Sequence, residues 1–193
     1  MTKLSEIGCI KIGYNFRRDN KDVASSFNRS SAETPIIQPR DIVSLCHSCF
    51  HNLQKIQITD IKDKYFLSTN EVLLSNKGVF QAFVWKGQSK IMVSSAFYRI
   101  KVLNQDFLPE YIAFYLNSSL GEAQFCLRQN TVRISTITIS DVKGIDIPFI
   151  PLKKQQQIVE LFLLYEKEVD TMEKITQNRK KLINSILSQT IKE

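Results

Sequence analysis

The sequence predicts a mixed α/β (α+β) globular domain followed by one long C-terminal α-helix that forms a coiled coil. Two observations predict the domain: short β-type segments separated by turn residues, and two helical segments after Pro109. The third concerns the end of the chain, where no Pro or Gly occurs from Leu152 onward and apolar residues recur at alternating spacings of four and three. We therefore divide the chain into a domain at 1–151 and a helix at 152–193.

The predicted strands are short, and most alternate apolar and polar residues or lie between turns. They fall at Cys9–Ile12, Ile56–Ile58, within Asn70–Gly78, and at Val79–Trp85, Ile91–Val93, Phe97–Val102, Val132–Ile134 and Ile145–Ile147. Helices are predicted at Leu4–Ile7, Glu110–Leu116 and Gly121–Leu127. Pro109 opens the second helix, because the first turn tolerates a residue without an N–H. This order of elements is not a regular βαβ repeat.

The C-terminal segment carries an apolar seam. Thr176 and Arg179 interrupt it near its middle, and its apolar members follow a heptad pattern: Ile158, Phe162, Tyr165, Val169, Met172, Ile183 and Ile186. At about 1.5 Å per residue the helix would span roughly 60 Å, which is longer than a domain of this size is wide. Since an isolated helix would expose this seam to water, we expect a partner helix. The alternative is that the helix folds back onto its own domain.

Composition favours an anionic partner. The chain has 193 residues and a formal net charge of +7. Nucleic acid is the commonest partner of basic proteins, although many small basic domains do not bind it. No stretch approaches the ~20 apolar residues of a membrane span, and the N-terminus lacks the apolar core of a secretory signal. The cysteines are therefore expected to be reduced thiols in the cytoplasm.

Basic and amide side chains are frequent in the inferred loops of the domain. Arg and Lys suit guanine or phosphate, and Asn and Gln suit adenine. Each of these residues taken alone is more often a solvated surface residue than a DNA contact. As a set they are our candidate DNA contacts: Arg17, Arg18, Arg40, Lys77, Lys86, Gln88, Lys90, Arg128, Asn130 and Arg133.

No catalytic motif is present in the sequence. There is no glycine-rich phosphate loop, no His-Glu-x-x-His and no clustered carboxylates of a nuclease type. One local cluster, Cys46, Cys49 and His51, has spacing that could hold zinc, but a fourth ligand would have to come from elsewhere. The alternative is a strand or loop with small buried thiols. We therefore expect a protein without catalysis of its own and without a bound cofactor or metal.

Several segments together resemble the DNA specificity (S) subunits of type I restriction–modification systems. Gly13–Arg17 is similar to the start of their target-recognition domains, and Ile37–Ile42 to the strand and turn that follow. Glu71–Gly78 resembles the family's Gly-Asp-Ile-Leu-x-x-x-x-Gly run. Tyr111–Ser118 resembles its Tyr-Leu-x-x-Tyr-Leu-x-Ser helix.

The most specific match closes the domain. Ile147–Val159 is similar to the family's Ile-Pro-Leu-Pro-Pro-Leu-x-x-Gln-x-x-Ile hinge, in which Pro148 and Pro151 end the sheet domain and stiffen the exit into the helix. The chain departs from the family where Asn70-Glu71 replaces Gly-Asp and where Ile150 stands in place of a common Pro. The segment 128–135 also lacks a glycine that the family commonly has there.

The resemblance implies that the domain recognises one half of a split DNA target. It also implies methyltransferase and restriction subunits as partners, which would carry the S-adenosylmethionine, ATP and Mg chemistry. A full-length family member has two recognition domains and two long antiparallel helices, whereas this chain has one of each. We therefore expect a half-length form that pairs with a second copy of itself through the seam. The alternatives are a coiled-coil adaptor outside restriction and a metal-dependent enzyme that uses the Cys46–His51 cluster.

Overall fold

The structure is a computed structural model and describes residues 1–15, 33–41, 53–57, 63–87, 90–128 and 136–190. The chain forms two compact units, Met1–Gln156 and Gln157–Glu193. In chain order the elements are β1 (Thr2–Lys3), α1 (Leu4–Ile7), β2 (Gly8–Ile12), β3 (Glu33–Ile37), β4 (Gln54–Gln57), β5 (Val72–Ser75), β6 (Ala82–Val84), β7 (Met92–Val93), β8 (Phe97–Val102), α2 (Pro109–Asn117), α3 (Ser119–Arg128), α4 (Ile139–Lys143), β9 (Asp146–Ile147) and α5 (Leu152–Thr190). Among the residues described, no helix is both long and apolar enough to cross a membrane.

The larger sheet of the first unit has four strands in the order β2-β8-β5-β6, and every neighbouring pair is antiparallel. All four residues of β5 are buried, as its run of apolar residues predicts for a central strand. Helix α2 packs on β5 and β6. The side chain of Asn117, the last residue of α2, bonds to both the N–H and the carbonyl of Ala82 in β6, each at 2.7 Å. Helix α2 is thereby joined to the edge of the sheet.

The smaller sheet has three strands in the order β4-β3-β7. Strand β3 runs antiparallel to β4 and parallel to β7, so this sheet joins segments that are far apart in the sequence. Ile36 and Ile37 of β3 are fully buried, as are Met92 and Val93 of β7. The sheet therefore has apolar residues on both of its faces, which pack into two separate core clusters.

A buried ion pair links the larger sheet to the segment before β5. The Arg99 guanidinium donates to both carboxylate oxygens of Glu71, at 2.8 and 2.9 Å, and both side chains are under one-tenth exposed. It also donates to the carbonyls of Lys64 (2.8 Å) and Phe66 (2.6 Å). Bidentate pairing with further hydrogen bonds is the arrangement in which a buried Arg is satisfied. Arg99 thus fixes the backbone of residues 63–66.

The family's Gly-Asp position has a physical explanation in this chain. Asn70 adopts a left-handed conformation with φ of 66°, which after glycine is best tolerated by Asn and Asp. Its N–H donates to the Trp85 carbonyl at 2.7 Å. Glu71 then supplies the carboxylate that Arg99 binds. Asn70-Glu71 therefore keeps the backbone shape and the acidic group that Gly-Asp would provide.

The residues at the predicted hinge are tied into the first unit. The Tyr111 hydroxyl donates to the Pro148 carbonyl at 2.9 Å, and burial raises the pKa of Tyr111 above its ordinary value, with Tyr115 adding to the effect. Pro151 directly precedes α5, and its carbonyl accepts the N–H groups of Lys154 (2.8 Å) and Gln155 (3.1 Å). The helix therefore begins on a proline whose own missing N–H is not needed.

Gln155 anchors the first turn of α5 within this unit. Its side chain is 0% exposed and makes three hydrogen bonds to backbone groups. Its carbonyl oxygen accepts the Leu108 N–H at 2.9 Å, and its amide donates to the carbonyls of Asp106 (2.7 Å) and Ile150 (2.8 Å). Gln155 occupies the glutamine position of the Leu-x-x-Gln-x-x-Ile hinge, so the geometry supplies a reason for that residue type.

The second unit consists of the rest of α5, which is 39 residues long in all. Its polar residues make contacts within the helix, such as the Lys174–Asp170 ion pair at 2.7 Å. Its apolar side chains are largely exposed: Leu161, Leu163, Leu164, Tyr165, Met172, Ile175, Leu182, Ile183, Ile186 and Leu187. Within the seam, Ile158, Phe162 and Val169 are partly buried.

Candidate DNA-recognition surface

Arg40 lies in a rigid turn at the end of β3. Pro39, Arg40 and Asp41 form one 3₁₀ turn, and Pro39 restricts φ at its start. The Asp41 N–H donates to the Gln38 carbonyl at 2.9 Å, and the Gln38 N–H donates to the Asp41 carboxylate at 2.8 Å. These reciprocal bonds hold the backbone of the turn while the Arg40 side chain remains 63% exposed. The turn therefore presents a guanidinium to solvent from a fixed position.

Three side chains form a polar cluster around this turn, namely Gln38, Arg40 and Gln54. The side-chain oxygen of Gln54 accepts from Gln38 Nε2 at 2.9 Å and from Arg40 Nη2 at 2.5 Å. Gln54 is the first residue of β4 and lies opposite Ile36 of β3. The polar cluster thus spans the end of the β3–β4 pair. Both bonds are exposed, so the cluster is open to a ligand.

A second group, which lies beside the same sheet, combines lysines with aromatic rings. Lys90 Nζ lies 5.6 Å from the centre of the Phe66 ring, and Lys64 Nζ lies 4.9 Å from the centre of the Tyr65 ring. The Tyr65 ring meets Tyr14 edge-on, with 4.9 Å between centroids. Phe66 pairs with β7 through a bridge. Cations stacked on aromatic faces are positioned without losing their charge, so these lysines remain suited to phosphate.

Lys77 and Lys86, two further candidates, differ in their contacts with neighbouring residues. Lys77 is exposed, and its backbone pairs with Thr136 in a β-bridge. Lys86 Nζ donates to Asn70 Oδ1 at 3.0 Å and to the carboxylate of Glu110 in the first turn of α2. Glu110 offsets the charge of Lys86, so Lys77 contributes more positive potential to the surface.

Arg128 makes structural contacts at the end of α3. One terminal nitrogen donates to the Gln124 carbonyl at 3.0 Å, and the other donates to the Gly144 carbonyl at 2.9 Å, just after α4. The guanidinium therefore joins the carboxyl ends of two helices, where cations are favourable. A phosphate could bind Arg128 only by sharing or replacing these bonds.

The remaining candidates fall outside the residues that the structure describes. These are Arg17, Arg18, Gln88, Asn130 and Arg133, together with the possible metal ligands Cys46, Cys49 and His51. Within the described ranges, no group of three or more His, Cys, Asp or Glu residues is placed to hold a metal ion.

The sequence predicts Arg40 and Lys90 as DNA contacts, but the predicted set does not include Gln38, Gln54 or Lys64. Gln38 directly precedes the turn residues Pro39 and Arg40, so its position was a usable signal. Gln54 carried no such signal, because it meets Arg40 only through a strand pairing across a separation of 14 residues.

Comparison with known proteins identifies a family for this chain. A family model of the type I restriction modification DNA specificity domain matches residues 2–181. The chain belongs to this family. No curated protein sequence matches it.

Solved structures show the same fold at low sequence identity. One comes from work on complex assembly and conformational transition of a type I restriction–modification system, with a TM-score of 0.60, 16% identity, and coverage of 89% of this chain and 39% of that chain. The HsdS subunit of Thermoanaerobacter tengcongensis matches with a TM-score of 0.56 and 16% identity, over 90% of this chain and 38% of that chain. The S subunit of M. genitalium matches with a TM-score of 0.54 and 13% identity, over 88% of this chain and 39% of that chain. The chain thus spans about two-fifths of the length of these proteins. The predicted fold class, an α/β domain followed by a long helix, is confirmed.

Proposed function

We propose that this chain recognises one half of a bipartite DNA target as part of the specificity subunit of a type I restriction–modification complex. The observation that carries the proposal is the family match across residues 2–181. The formal charge of +7 and the exposed cations around the smaller sheet support it, because phosphate contacts supply much of the affinity of DNA-binding proteins. Methylation and cleavage, with S-adenosylmethionine, ATP and Mg, belong to partner subunits in the cytoplasm.

DNA contact in this proposal comes from the candidate set of the sequence, namely Arg17, Arg18, Arg40, Lys77, Lys86, Gln88, Lys90, Arg128, Asn130 and Arg133. Salt dependence tests the contact directly. The full chain, with the methyltransferase subunit of its own system, should bind duplex DNA with an affinity that falls by a factor of about 10³ or more between 50 and 200 mM salt if about six phosphates are contacted. Binding that is absent or independent of salt would contradict the proposal and favour an adaptor.

The helix is proposed to pair with a second copy of the chain. Residues 161–187 of α5 expose a row of large apolar side chains, with exposed fractions from 46% for Ile175 to 70% for Leu161. An antiparallel pair centred on Lys174 maps the seam onto itself, since Phe162 then faces Ile186 and Tyr165 faces Ile183. A surface that is complementary to itself is what a twofold dimer needs. The two copies would recognise a palindromic split site, with the paired helices as the spacer.

Charge along the helix favours the antiparallel orientation. Acidic residues are concentrated before the centre, at Glu166 and Glu168, and basic residues after it, at Lys180 and Lys181. In the antiparallel register the acidic part of one helix lies alongside the basic part of its partner, whereas a parallel pair would set like charges against each other. Flanking charges of this kind select orientation in coiled coils. In this register the polar seam residues Thr176 and Arg179 face Met172 and Val169.

Light scattering of the purified chain tests the dimer. We expect twice the mass of one chain at tens of micromolar, and a monomer at that concentration would refute the pairing. Phe162→Asp with Val169→Asp should give a monomer whose first unit stays folded, because both changes lie in the second unit. The matched control is Gln177→Asp with Asn184→Asp, which adds the same charge at positions outside the seam and should leave the dimer intact.

A further inference from the structure

The donors and acceptors of the polar cluster are unevenly used. Both lone pairs of the Gln54 side-chain oxygen are occupied, by Gln38 and by Arg40. An Arg guanidinium has five N–H donors and no acceptor. A Gln amide has two N–H donors and one acceptor, its oxygen. Among the residues that the structure describes, the cluster therefore retains four Arg40 donors, one Gln38 amide donor and both Gln54 donors, with a single acceptor group, the Gln38 oxygen. The open side of the cluster is rich in donors.

The Arg40 guanidinium is also held in place. The carboxylate of Asp41 accepts the Gln38 N–H and lies 4.0 Å from Arg40 Nε, so it is not aligned as a strong partner. Gln54 instead fixes one terminal nitrogen, and the closed turn fixes the backbone. A recognition group that is positioned before binding loses less freedom on binding and discriminates better.

We propose that the polar cluster of Gln38, Arg40 and Gln54 is a base-recognition element, in which Arg40 binds the major-groove edge of a guanine and Gln54 positions it. This rests on the proposed function. The guanine edge offers two acceptors, N7 and O6, and matches the bidentate fork of Arg, whereas adenine and cytosine present donors there. A phosphate would use the same charge but would not need the Gln54 contact.

Selection from a pool of DNA duplexes with a randomised segment tests this assignment. The probe is the full chain in complex with the methyltransferase subunit of its own system. The wild-type complex should enrich a motif that contains guanine. Arg40→Lys keeps the charge and loses the fork. Because Lys can still donate to guanine, this variant should bind with the same salt dependence but with a weaker preference for guanine at one position. Arg40→Ala removes the donors and should lose that preference by about 10- to 100-fold. Gln54→Ala should weaken preference at that same position by a smaller factor.

Lys55→Ala is the matched control. Lys55 is adjacent to Gln54, is 63% exposed and pairs with Glu33 at 3.3 Å, so its replacement should leave the motif unchanged. An unchanged motif for Arg40→Ala would overturn the assignment while leaving the proposed function standing. So would an Arg40→Ala variant that loses affinity equally for all sequences with a shallower salt slope, because that is the behaviour of a phosphate contact. If the wild-type complex enriches no sequence, the proposed function fails together with the assignment.

Discussion

Replacement of Gln155 by Ala should destabilise the first unit much more than replacement of its neighbours. Gln155, Gln156 and Gln157 are consecutive and chemically identical, but only Gln155 is buried. Its side chain satisfies the Leu108 N–H and the carbonyls of Asp106 and Ile150. Alanine would leave these three backbone groups without that partner, in a site shaped for an amide.

The expected loss follows from the three bonds. Each hydrogen bond contributes a net ~0.5–1.5 kcal/mol, so together they contribute about 1.5–4.5 kcal/mol. The Gln side chain also regains rotamer freedom on unfolding, which offsets up to ~1.5 kcal/mol of this stabilisation. We expect a net loss of about 2 kcal/mol, near the middle of the range that these two terms allow, from a domain whose free energy of unfolding is of the order of 5–15 kcal/mol.

Urea denaturation followed by circular dichroism measures this loss. With a slope of about 2 kcal/mol per molar urea, the midpoint should fall by about 1 M while the slope stays constant. All variants must be compared at one protein concentration, because association stabilises the folded state by mass action. Gln156→Ala and Gln157→Ala are the controls, and both should stay within ~0.5 kcal/mol of wild type. A midpoint for Gln155→Ala that equals theirs would refute the anchoring role.

The remaining predictions concern the buried groups of the first unit. Arg99→Met leaves the Glu71 carboxylate buried and unpaired and should lower the free energy of unfolding by about 3–5 kcal/mol. Arg99→Met with Glu71→Leu should recover the part of that loss that is due to the unpaired carboxylate, but not the part due to the carbonyls of Lys64 and Phe66, in the same urea titration. Asn70→Gly should be nearly neutral and Asn70→Val should destabilise by about 1–3 kcal/mol, because a β-branched residue is strained at a φ of 66°; equal midpoints would contradict the backbone argument. Burial raises the pKa of Tyr98, and the Asp141 carboxylate raises it further. The folded pKa of Tyr98 and of Tyr111 lies above the unfolded value near ~10. Their stabilising contribution is therefore complete below that pH and is lost as pH rises through the folded pKa. Ultraviolet titration should show tyrosines that ionise at higher pH than free tyrosine, and Tyr98→Phe should reduce the loss of stability at high pH.

Local signals in the sequence were sufficient for most single elements. The N-terminal turn and the proline-opened helix lie where the sequence placed them, at Leu4–Ile7 and Pro109–Asn117. Helix α4 was not predicted, although Thr138 and Asp141 form a capping box that could have indicated it. Five residues are too few for apolar periodicity, so the capping pair was the only available signal.

The arrangement of the strands and helices could not be predicted from the sequence, and the reason is physical. Strand β3 pairs in parallel with β7, and no turn or register signal connects strands separated by more than 50 residues. The Arg99–Glu71 pair likewise spans 28 residues. Both depend on contacts that exist only after the chain has folded, and a single sequence shows neither of them.

The structure describes two arginines of the candidate set, Arg40 and Arg128. Their hydrogen-bond partners indicate which of them is suited to bind DNA and which stabilises the fold. In the sequence, Arg40 follows a proline and Arg128 ends a helix, and both are charged residues at the edge of an element. Arg128 is bound to two backbone carbonyls, whose loss would leave helix ends unsatisfied. Arg40 is bound to one side chain that is itself exposed, so its contact positions the guanidinium without consuming it. Substitution of Arg128 should therefore lower stability before it alters DNA recognition, whereas substitution of Arg40 should alter the recognised sequence at unchanged stability.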